Sequence, residues 1–252
     1  MDPLEQAAKS IREASHVTAF TGAGISVESG IPPFRGAEGL WSRYDPIVLD
    51  IGYFHSHPAE SWRVIREIFY DFFGQARPNP AHYTLAKMEK AGRLTAVITQ
   101  NIDNLHQEAG SRNVIEYHGN SQRLVCERCG TLYPVKEIDL QDLPPRCKKD
   151  GHVLKPDFVF FGEPIPPEAA RRSEEEARLA DVFLVIGTTG EIMPASFIPQ
   201  LAKDNGATII EVNPESSSFT HTITDIHLKG KAGTLLPELW KKIKDRQTSK
   251  LR

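Results

Sequence analysis

Four groups of residues along the chain are suited to chemistry, and the first is a glycine-rich turn. The sequence Gly22-Ala23-Gly24-Ile25-Ser26 follows an apolar, strand-like segment. Glycine lets a backbone approach a pyrophosphate closely, and the N–H groups at a helix start favour its negative charge. Such a turn can equally be structural. By itself it leaves a dinucleotide site and a plain tight turn both open.

The second group consists of polar residues at the predicted end of a buried strand. Gln100, Asn101 and Asp103 follow the apolar segment 94–99, and ligands bind outside the carboxyl ends of strands in open α/β sheets. Asp103 can accept hydrogen bonds from a carboxamide, whereas Asn101 can both donate and accept. Because Asn and Asp also favour turns at strand ends, ligand binding and turn formation remain alternatives.

The third group is a histidine at the end of an apolar strand, His118, which precedes Gly119. An imidazole titrates near neutrality and can act as a general base, although a lone histidine is more often a structural hydrogen-bond donor. His82 and His106 lie at a helix start and at a packing position, so we assign them no chemical role.

The fourth group is a cysteine cluster, Cys126-x-x-Cys129 followed by Cys147. Three cysteines cannot all pair within one chain, and their proximity in sequence points to a metal site in a reducing compartment. The arrangement lacks a fourth cysteine, and the nearby His152 could fill that position. A closed structural zinc site and a degenerate cluster held by packing are the two interpretations.

The elements that must position these groups alternate between strand and helix, which favours an α/β architecture with a largely parallel sheet. Short apolar, β-branched runs predict strands at residues 16–21, 94–99, 182–186 and 208–212. Amphipathic patterns with capping residues predict helices at residues 4–14, 80–92, 167–179, 195–203 and 235–244.

Two regions interrupt this alternation. Residues 36–78 are rich in aromatic residues and proline, which suggests a lid or insertion. Residues 121–156 contain all three cysteines and no long apolar run. Because the second region is too small to fold by burial alone, it would need a metal.

The overall composition is that of an ordinary globular protein. The 252 residues are 40% hydrophobic and 25% charged, with a formal net charge of −3. A slightly acidic chain with scattered Lys and Arg is not expected to bind nucleic acid directly. The amino-terminal residues lack the pattern of a signal peptide, and no stretch reaches the roughly 20 apolar residues that span a bilayer, so we expect a cytoplasmic protein without membrane partners.

Taken in order, the motifs resemble the signature blocks of the sirtuin family of NAD-dependent protein deacylases, of the prokaryotic type that has the catalytic core only. The resemblance covers nearly the whole chain. Besides the cysteine cluster, its blocks are Gly22-Ala23-Gly24-Ile25-Ser26 with Gly30-Ile31-Pro32 and Phe34-Arg35, Thr99-Gln100-Asn101-Ile102-Asp103, Glu116-Tyr117-His118-Gly119, Phe161-Gly162-Glu163, Gly187-Thr188-Thr189, Val212-Asn213-Pro214-Glu215 and Gly230-Lys231-Ala232-Gly233.

The resemblance implies a Rossmann-like parallel sheet with a smaller inserted domain, made of a zinc-ribbon-like module and a helical module. The NAD-binding domain would comprise residues 1–38, 79–120 and 157–252. The helical insertion would be residues 39–78, and the cysteine module residues 121–156.

The implied activity is NAD-dependent removal of an acyl group from lysine, with transfer of that group to ADP-ribose and release of nicotinamide. Protein mono-ADP-ribosylation on the same scaffold is the alternative. The presence of His118 together with Asn101 and Asp103 favours deacylation, and it argues against a non-catalytic NAD-binding module. A dehydrogenase is disfavoured because the third glycine and the downstream acid of its fingerprint are missing.

The resemblance also implies residue roles. The catalytic residues would be His118 and Asn101. NAD would contact Gly22, Ala23, Gly24, Ser26, Phe34, Arg35, Gln100, Asn101, Asp103, Gly187, Thr188, Thr189, Asn213, Glu215, Lys231 and Ala232. Acyl-lysine protein or peptide substrates would lie against Val159, Phe161, Gly162, Glu163, Gly190, Glu191 and Ile192. One structural zinc would bind Cys126, Cys129, Cys147 and Asp150, since Asp150 aligns with the family's fourth cysteine.

The acyl group itself is predicted from the insertion helix. Relatives that prefer succinyl or malonyl groups carry a Tyr and an Arg three residues apart on this helix, and alignment on Trp62 puts Ile65 and Ile68 at those positions. Arg66 and Tyr70 are near them in sequence, so a shifted register is the alternative. Aliphatic side chains cannot pair with a buried carboxylate. An apolar tunnel of Ile65, Ile68, Val159 and Phe161 is therefore expected to favour acetyl and longer aliphatic groups.

Overall fold

A computed structural model describes residues 2–34 and 39–248, with side chains described as far as residue 244. Arg35, which the family resemblance places at the NAD site, lies outside the described residues. In the ranges that are described, no helix has both the length and the apolar character needed to cross a membrane.

Strands and helices alternate through most of the chain, as the sequence predicts. The strands are β1 (Val17–Thr21), β2 (Ala96–Thr99), β3 (Val114–Glu116), β4 (Gly119–Cys126), β5 (Leu132–Pro134), β6 (Leu154–Phe158), β7 (Val182–Ile186), β8 (Thr208–Asn213) and β9 (Ile226–Lys229). The α-helices are α1 (Pro3–Glu13), α2 (Ile51–Ser56), α3 (Pro58–Ile65), α4 (Pro80–Lys90), α5 (Leu105–Glu108), α6 (Pro167–Leu179), α7 (Phe197–Asp204) and α8 (Ala232–Thr248).

The predicted elements are confirmed. Strand 182–186 and helix 167–179 have the predicted bounds, and the others differ by at most four residues at either end. The short strand β9 was missed, because its alternating residues Ile226 to Lys229 lack an apolar run.

Six parallel strands form the larger sheet, in the order β3-β2-β1-β7-β8-β9. Successive residues of a strand point to opposite faces. Ala19 of β1 accordingly joins an apolar cluster with α1, α4 and α8, while Phe20 joins a cluster with α6 and α7. Helices thus cover both faces of a parallel sheet, and the predicted Rossmann-like class is confirmed.

The strand order creates a switch point between β1 and β7. From β1 the chain continues to β2 on one side, and the later strands β7, β8 and β9 lie on the other. Loops that leave adjacent carboxyl ends in opposite directions open a crevice, which is where ligands bind in such sheets.

A second core lies between the helical segment and a smaller antiparallel sheet of order β5-β4-β6. Trp62 and Ile65 of α3 share one buried cluster with Phe158 and Phe160. The Trp62 indole N–H donates to the Leu154 carbonyl oxygen at 2.8 Å. Residues 39–78 and the cysteine region, which are separate in sequence, are therefore packed against each other. The small sheet begins at Gly119 and ends at Phe158, slightly beyond residues 121–156.

Candidate active site

Three glycines bring the turns after β1 and β7 into contact at the switch point. The N–H of Gly24 donates to the carbonyl oxygen of Gly187 at 2.8 Å. A Cβ on Gly24 would lie 2.7 Å from the Gly187 Cα, and one on Gly22 would lie 2.8 Å from the Gly187 oxygen. Since no side chain fits there, backbone atoms line the crevice, and the 3₁₀ helix Ala23–Ser29 starts at it. This geometry suits a pyrophosphate.

A cluster of hydrogen-bonded polar side chains lies beside the crevice, where β2 ends. The Ser26 hydroxyl donates to Asp103 Oδ2 at 2.7 Å. The Asn101 side-chain amide donates to the Gly22 carbonyl oxygen at 3.2 Å and to Ser26 Oγ at 3.1 Å. Burial raises the pKa of Asp103, although hydrogen bonds from the Leu105 N–H and from Ser26 partly offset this effect. Asn101 and Asp103 are therefore joined through Ser26, whereas the side chain of Gln100 donates to Thr188 instead.

His118 reaches the same edge from the turn after β3. Its Nδ1 lies 3.0 Å from the Gln100 carbonyl oxygen. A carbonyl can only accept, so Nδ1 carries the proton and Nε2 has a free lone pair. Burial lowers the pKa of His118, and the Gln100 bond compensates only in part. The neutral imidazole is thereby held in the tautomer that a general base requires.

His82 and His106 lie behind the site and stay neutral. Their rings are 4.9 Å apart, and His106 Nε2 is 2.9 Å from the Thr21 hydroxyl. Burial lowers the pKa of His82 to about 4, and burial, with a smaller electrostatic contribution from the neighbouring His82 ring, places the pKa of His106 well below its usual value. Their helix-start and packing positions agree with the sequence analysis.

The remaining predicted NAD contacts lie at the ends of β7, β8 and β9. Thr188 is held from two sides, because its hydroxyl accepts from the Gln100 side chain at 3.2 Å and its carbonyl oxygen accepts from the Asn213 side chain at 2.9 Å. Glu215 and Lys231 are exposed. Thr189 is also exposed, whereas Ala232 is buried.

One edge of the predicted peptide groove is residues 159–163. The backbone N–H and carbonyl of Phe161 are already bonded to Leu49 and Ile51 of the helical segment. Within the described ranges, the carbonyl of Val159 and the N–H of Gly162 have no hydrogen-bond partner. The carbonyl could accept a hydrogen bond from an added strand, and the N–H could donate one to it. The groove edge is therefore narrower than the sequence motif suggests.

Glu163 turns away from the groove. Its carboxylate accepts from the Phe160 N–H at 2.7 Å and pairs with the buried Lys155 ammonium at 3.0 Å. Lys155 also donates to the Phe158 carbonyl oxygen at 2.7 Å. Lys155 was missed in the sequence because a lone lysine in a strand resembles a surface residue. Its contacts show that it fixes the loop carrying Phe161.

The opposite edge comprises Gly190, Glu191 and Ile192. The Gly190 carbonyl oxygen accepts from the Ser218 hydroxyl at 2.9 Å, and the Ile192 carbonyl oxygen accepts from the Ser196 N–H at 2.8 Å. The side chain of Glu191 is exposed.

Aromatic rings connect the loop after the glycine turn with the groove. The ring centroids of Phe34 and Trp41 are 5.5 Å apart, and those of Trp41 and Phe161 are 6.3 Å apart. Phe161 is 47% exposed, so its face is available to a ligand. Trp41 was missed because it lies in a region whose sequence pattern indicates only an insertion.

Ile65 and Ile68, predicted to line the acyl tunnel, are fully buried in the core of the helical segment. That core also contains Phe158 and Phe160, so its surroundings are apolar. The hydroxyl of Tyr70 is buried and has no hydrogen-bond partner among the residues that the structure describes, and burial raises its pKa. The buried Lys155 ammonium lies at the edge of this cluster, 4.3 Å from the centroid of the Phe160 ring.

The cysteine region brings four metal-binding side chains together. One ligand atom from each of Cys126, Cys129, Cys147 and Asp150 lies within 4.8 Å of the others. Zinc–sulfur bonds of about 2.3 Å in a tetrahedron place two sulfurs roughly 3.8 Å apart, and the sulfurs of Cys129 and Cys147 are 3.7 Å apart. This donor set fits one structural zinc ion.

The fourth side chain that lies with the three cysteines is the Asp150 carboxylate, and the His152 imidazole is not part of this group. The backbone N–H of His152 donates to Asp150 Oδ1 at 3.0 Å, and this bond is the main reason that the pKa of Asp150 falls to about 2. Asp150 is thus ionised and oriented toward the thiols, with its oxygens 3.5 Å from the Cys126 sulfur.

The chain matches known proteins over almost its whole length. The model of the Sir2 family matches residues 22–194. The NAD-dependent protein deacylase 2 of Pyrobaculum aerophilum is 45% identical over 240 residues, which are 94% of each chain. The NAD-dependent protein deacylase of Pyrococcus abyssi is 43% identical over 242 residues, 94% of this chain and 96% of the relative.

Solved structures agree with this match. A Sir2 homologue in complex with NAD superposes with a TM-score of 0.88 at 40% identity and covers 97% of this chain and 94% of that one. A Sir2 complex with deacetylated p53 peptide and 3'-O-acetyl ADP-ribose gives a TM-score of 0.87 at 34% identity, with coverage of 96% and 98%.

Substitution of Asp150 tests the metal site. We expect wild type to contain about one zinc ion per chain, and Asp150→Ala to lose most of it, because three thiolates leave the tetrahedron incomplete. Asp150→Cys should retain the metal. Elemental analysis by mass spectrometry gives the stoichiometry, and thermal unfolding reports the loss of stability.

His152→Ala is the matched control for this experiment. It keeps the backbone N–H that orients Asp150 and removes only the imidazole, so its zinc content should equal that of wild type. A zinc-free wild type purified without chelator, or loss of zinc in His152→Ala, would contradict the proposed ligand set.

Proposed function

The chain belongs to the Sir2 family, and we propose that it is an NAD-dependent protein-lysine deacylase that transfers the acyl group to ADP-ribose and releases nicotinamide. One observation carries the proposal. The glycine crevice, the Asn101–Asp103 cluster and an imidazole with a free Nε2 occupy the same carboxyl edge of the sheet. When bound, NAD would supply the ribose carbon that the acyl oxygen attacks, and its nicotinamide would be the leaving group.

The chain's own residues divide the binding of NAD between them. Gly22 and Gly24 admit the pyrophosphate to the crevice, and the ends of β8 and β9 receive the adenosine half. Asp103, whose oxygens are fixed by Ser26 and Leu105, faces the carboxamide as an acceptor. The side-chain N–H groups of Asn101 donate to Gly22 and Ser26, so its Oδ1 is the atom that can accept a hydrogen bond from the ligand.

His118 acts as the general base in this proposal. Gln100 holds its Nδ1 proton, so Nε2 is the atom that takes a proton from a ribose hydroxyl. The lowered pKa of His118 keeps the ring neutral at physiological pH. Phe34 and Trp41, whose ring centroids are 5.5 Å apart on the loop after the glycine turn, would shield bound NAD from water.

The acyl-lysine peptide adds as a strand between residues 159–163 and 190–192. The Val159 carbonyl and the Gly162 N–H supply backbone hydrogen bonds, and Phe161 supplies an exposed aromatic face for the lysine stem. Because these contacts are mostly with backbone, the groove accepts many sequences. Relatives named deacylases and the Sir2 complex with a deacetylated peptide support this substrate class.

We also propose the domain boundaries that the sequence indicates. Residues 1–38, 79–120 and 157–252 form the NAD-binding domain, while residues 39–78 and 121–156 form the small domain. The apolar cluster that joins the last two segments supports this division. Ile31, Ile102, Leu105, Phe158 and Phe160 of the NAD-binding domain also pack in it, where the two proposed domains meet. Location in the cytoplasm remains a prediction.

Replacement of His118 tests the catalytic assignment. We expect His118→Ala to lower the deacylation rate by ~10²–10⁴-fold, because a positioned general base is lost, while NAD binding largely survives. Asp103→Asn should instead slow nicotinamide exchange, since a charged acceptor leaves the carboxamide pocket. Mass spectrometry of the products with NAD and an acetyl-lysine peptide measures both activities.

The exposed His57 offers a matched control, and His57→Ala should retain wild-type rates. Near-normal deacylation by His118→Ala would remove His118 from the mechanism. Transfer of ADP-ribose to the peptide by wild type, without deacylation, would favour the mono-ADP-ribosyltransferase alternative.

The pH dependence of deacylation should reflect the lowered pKa of His118. The neutral base is the active form, so kcat/KM is constant above this pKa and falls as the pH decreases through a value below 6.5. Rates measured from about pH 5 to 8 locate the limb. A limb centred above 6.5 would contradict the assignment.

Acid unfolding must be separated from this effect. The buried, neutral His82 has a pKa of about 4. Because its pKa in the folded state lies below its unfolded value, the stability it contributes is lost as the pH falls from about 6.5 towards 4. Circular dichroism at each pH identifies the range in which the protein stays folded.

A series of acyl groups on one peptide tests the apolar pocket. We expect acetyl to be removed efficiently, longer aliphatic groups to gain up to ~0.8 kcal/mol per buried methylene where space permits, and succinyl to react poorly, because Ile65 and Ile68 cannot pair with its carboxylate. Values of kcat/KM for acetyl, butyryl, myristoyl and succinyl peptides decide this, and succinyl as the best substrate would contradict it.

A further inference from the structure

A fully buried carboxylate lies behind the cofactor edge of the larger sheet. Glu211, in β8, is 0% exposed. Its Oε1 accepts from the Ser217 hydroxyl at 2.5 Å, and its Oε2 accepts from the hydroxyls of Thr220 and Thr224 at 2.8 and 2.9 Å. Burial of a carboxylate is costly unless its oxygens are hydrogen-bonded. Three converging hydroxyl donors therefore make this a specific, closed network.

No cation of the described residues pairs with Glu211. His227, its register partner on β9, places its Nε2 against the Asn213 carbonyl oxygen at 3.2 Å instead. The carboxylate depends on the loop 217–224 for all its side-chain hydrogen bonds. Conversely, the carboxylate restrains that loop at three positions.

The restrained loop in turn holds the segment between the NAD site and the peptide groove. The Ser218 N–H donates to the Thr189 carbonyl oxygen at 2.9 Å, and the Ser218 hydroxyl donates to the Gly190 carbonyl oxygen at 2.9 Å. The Phe219 ring packs so closely on Gly190 that a Cβ there would lie 2.6 Å from it. The position of residues 189–190 is thus set from the loop and not from β7 alone.

We propose that Glu211 is a positioning residue for both ligands of the enzyme. Through the loop 217–224 it fixes Thr189 and Gly190, which face the dinucleotide on one side and the peptide on the other. The inference rests on the proposed deacylase function for the identity of these ligands. Without Glu211, residues 189–190 would be mobile in the free enzyme, and each binding event would have to order them. The reacting groups around Asn101 and His118 would stay in place.

Kinetics of Glu211 variants separate positioning from plain stability. Glu211→Ala removes the acceptor of all three hydrogen bonds. It should raise KM for NAD and for the acetyl peptide roughly tenfold each, because the free energy of ordering the loop then weakens binding. We expect kcat to change by less than about twofold. Glu211→Gln should restore wild-type KM values. Its amide oxygen can accept from Ser217, and its amide N–H groups can donate to the two threonine hydroxyls.

Glu176→Ala is the matched control at the opposite edge of the sheet. Glu176 accepts from the Thr18 hydroxyl at 3.1 Å and contacts His16 at 2.7 Å, near the start of β1. Its loss should lower the unfolding temperature without changing either KM. If Glu211→Ala does not fold, Thr224→Val removes one donor without altering side-chain shape and should raise both KM values in the same direction.

Calorimetry with ADP-ribose makes the inference independent of turnover. Weaker ADP-ribose binding in Glu211→Ala, together with faster hydrogen exchange of residues 187–191 and 217–224, would support the proposal. Unchanged KM values and unchanged ADP-ribose affinity in a folded Glu211→Ala would overturn it. A wild type that binds ADP-ribose but deacylates no acyl peptide would count against the proposed function and leave the ADP-ribose comparison to decide the role of Glu211.

Discussion

The close contact of two backbone turns at the switch point is the constraint on which the site depends. Gly24 and Gly187 approach so closely that a side chain on either would collide with the other turn. The contact requires β1 and β7 to be neighbours, and their parallel register, Thr21 beside Ile186, brings both turns to the same level. A backbone-lined crevice follows, and the polar groups after β2 and β8 are arranged around it.

Those polar groups are held from behind by other buried polar groups. The Thr99 hydroxyl accepts from the Asn101 N–H at 3.1 Å, and the Asn79 side chain donates to the Ile25 carbonyl oxygen at 2.7 Å. Gln100 uses its side chain on Thr188 and its carbonyl on His118. Preorganised donors and acceptors need little rearrangement during a reaction, which is the main advantage of an enzyme site over water.

The second apolar core lies beside one edge of the predicted peptide groove. It joins the helical segment to the antiparallel sheet, while Lys155 and Glu163 hold the loop that bears Phe161. The antiparallel sheet continues directly from the turn that carries His118, because β4 begins at Gly119. Gly119 has a φ of 80°, and its backbone lies so close to Asp157 that a side chain would not fit. The four metal-binding side chains lie at the far end of this sheet. Because the sheet has only three strands, a metal would add the stability that so small a core lacks.

The sequence by itself determined most of the elements around the site and located the candidate reacting groups. Apolar periodicity located the buried strands, and spacing located the cysteine cluster, the glycine turn and His118, because these signals are local along the chain. Tertiary structure decided which of them meet. Three findings depend on contacts that the local sequence does not reveal. Asp150 rather than His152 lies with the cysteines, the Phe161 backbone is bonded to Leu49 and Ile51, and Lys155 and Glu211 are buried. Hydrogen bonds and burial across such distances leave no periodic trace in the chain, so only the folded structure shows them.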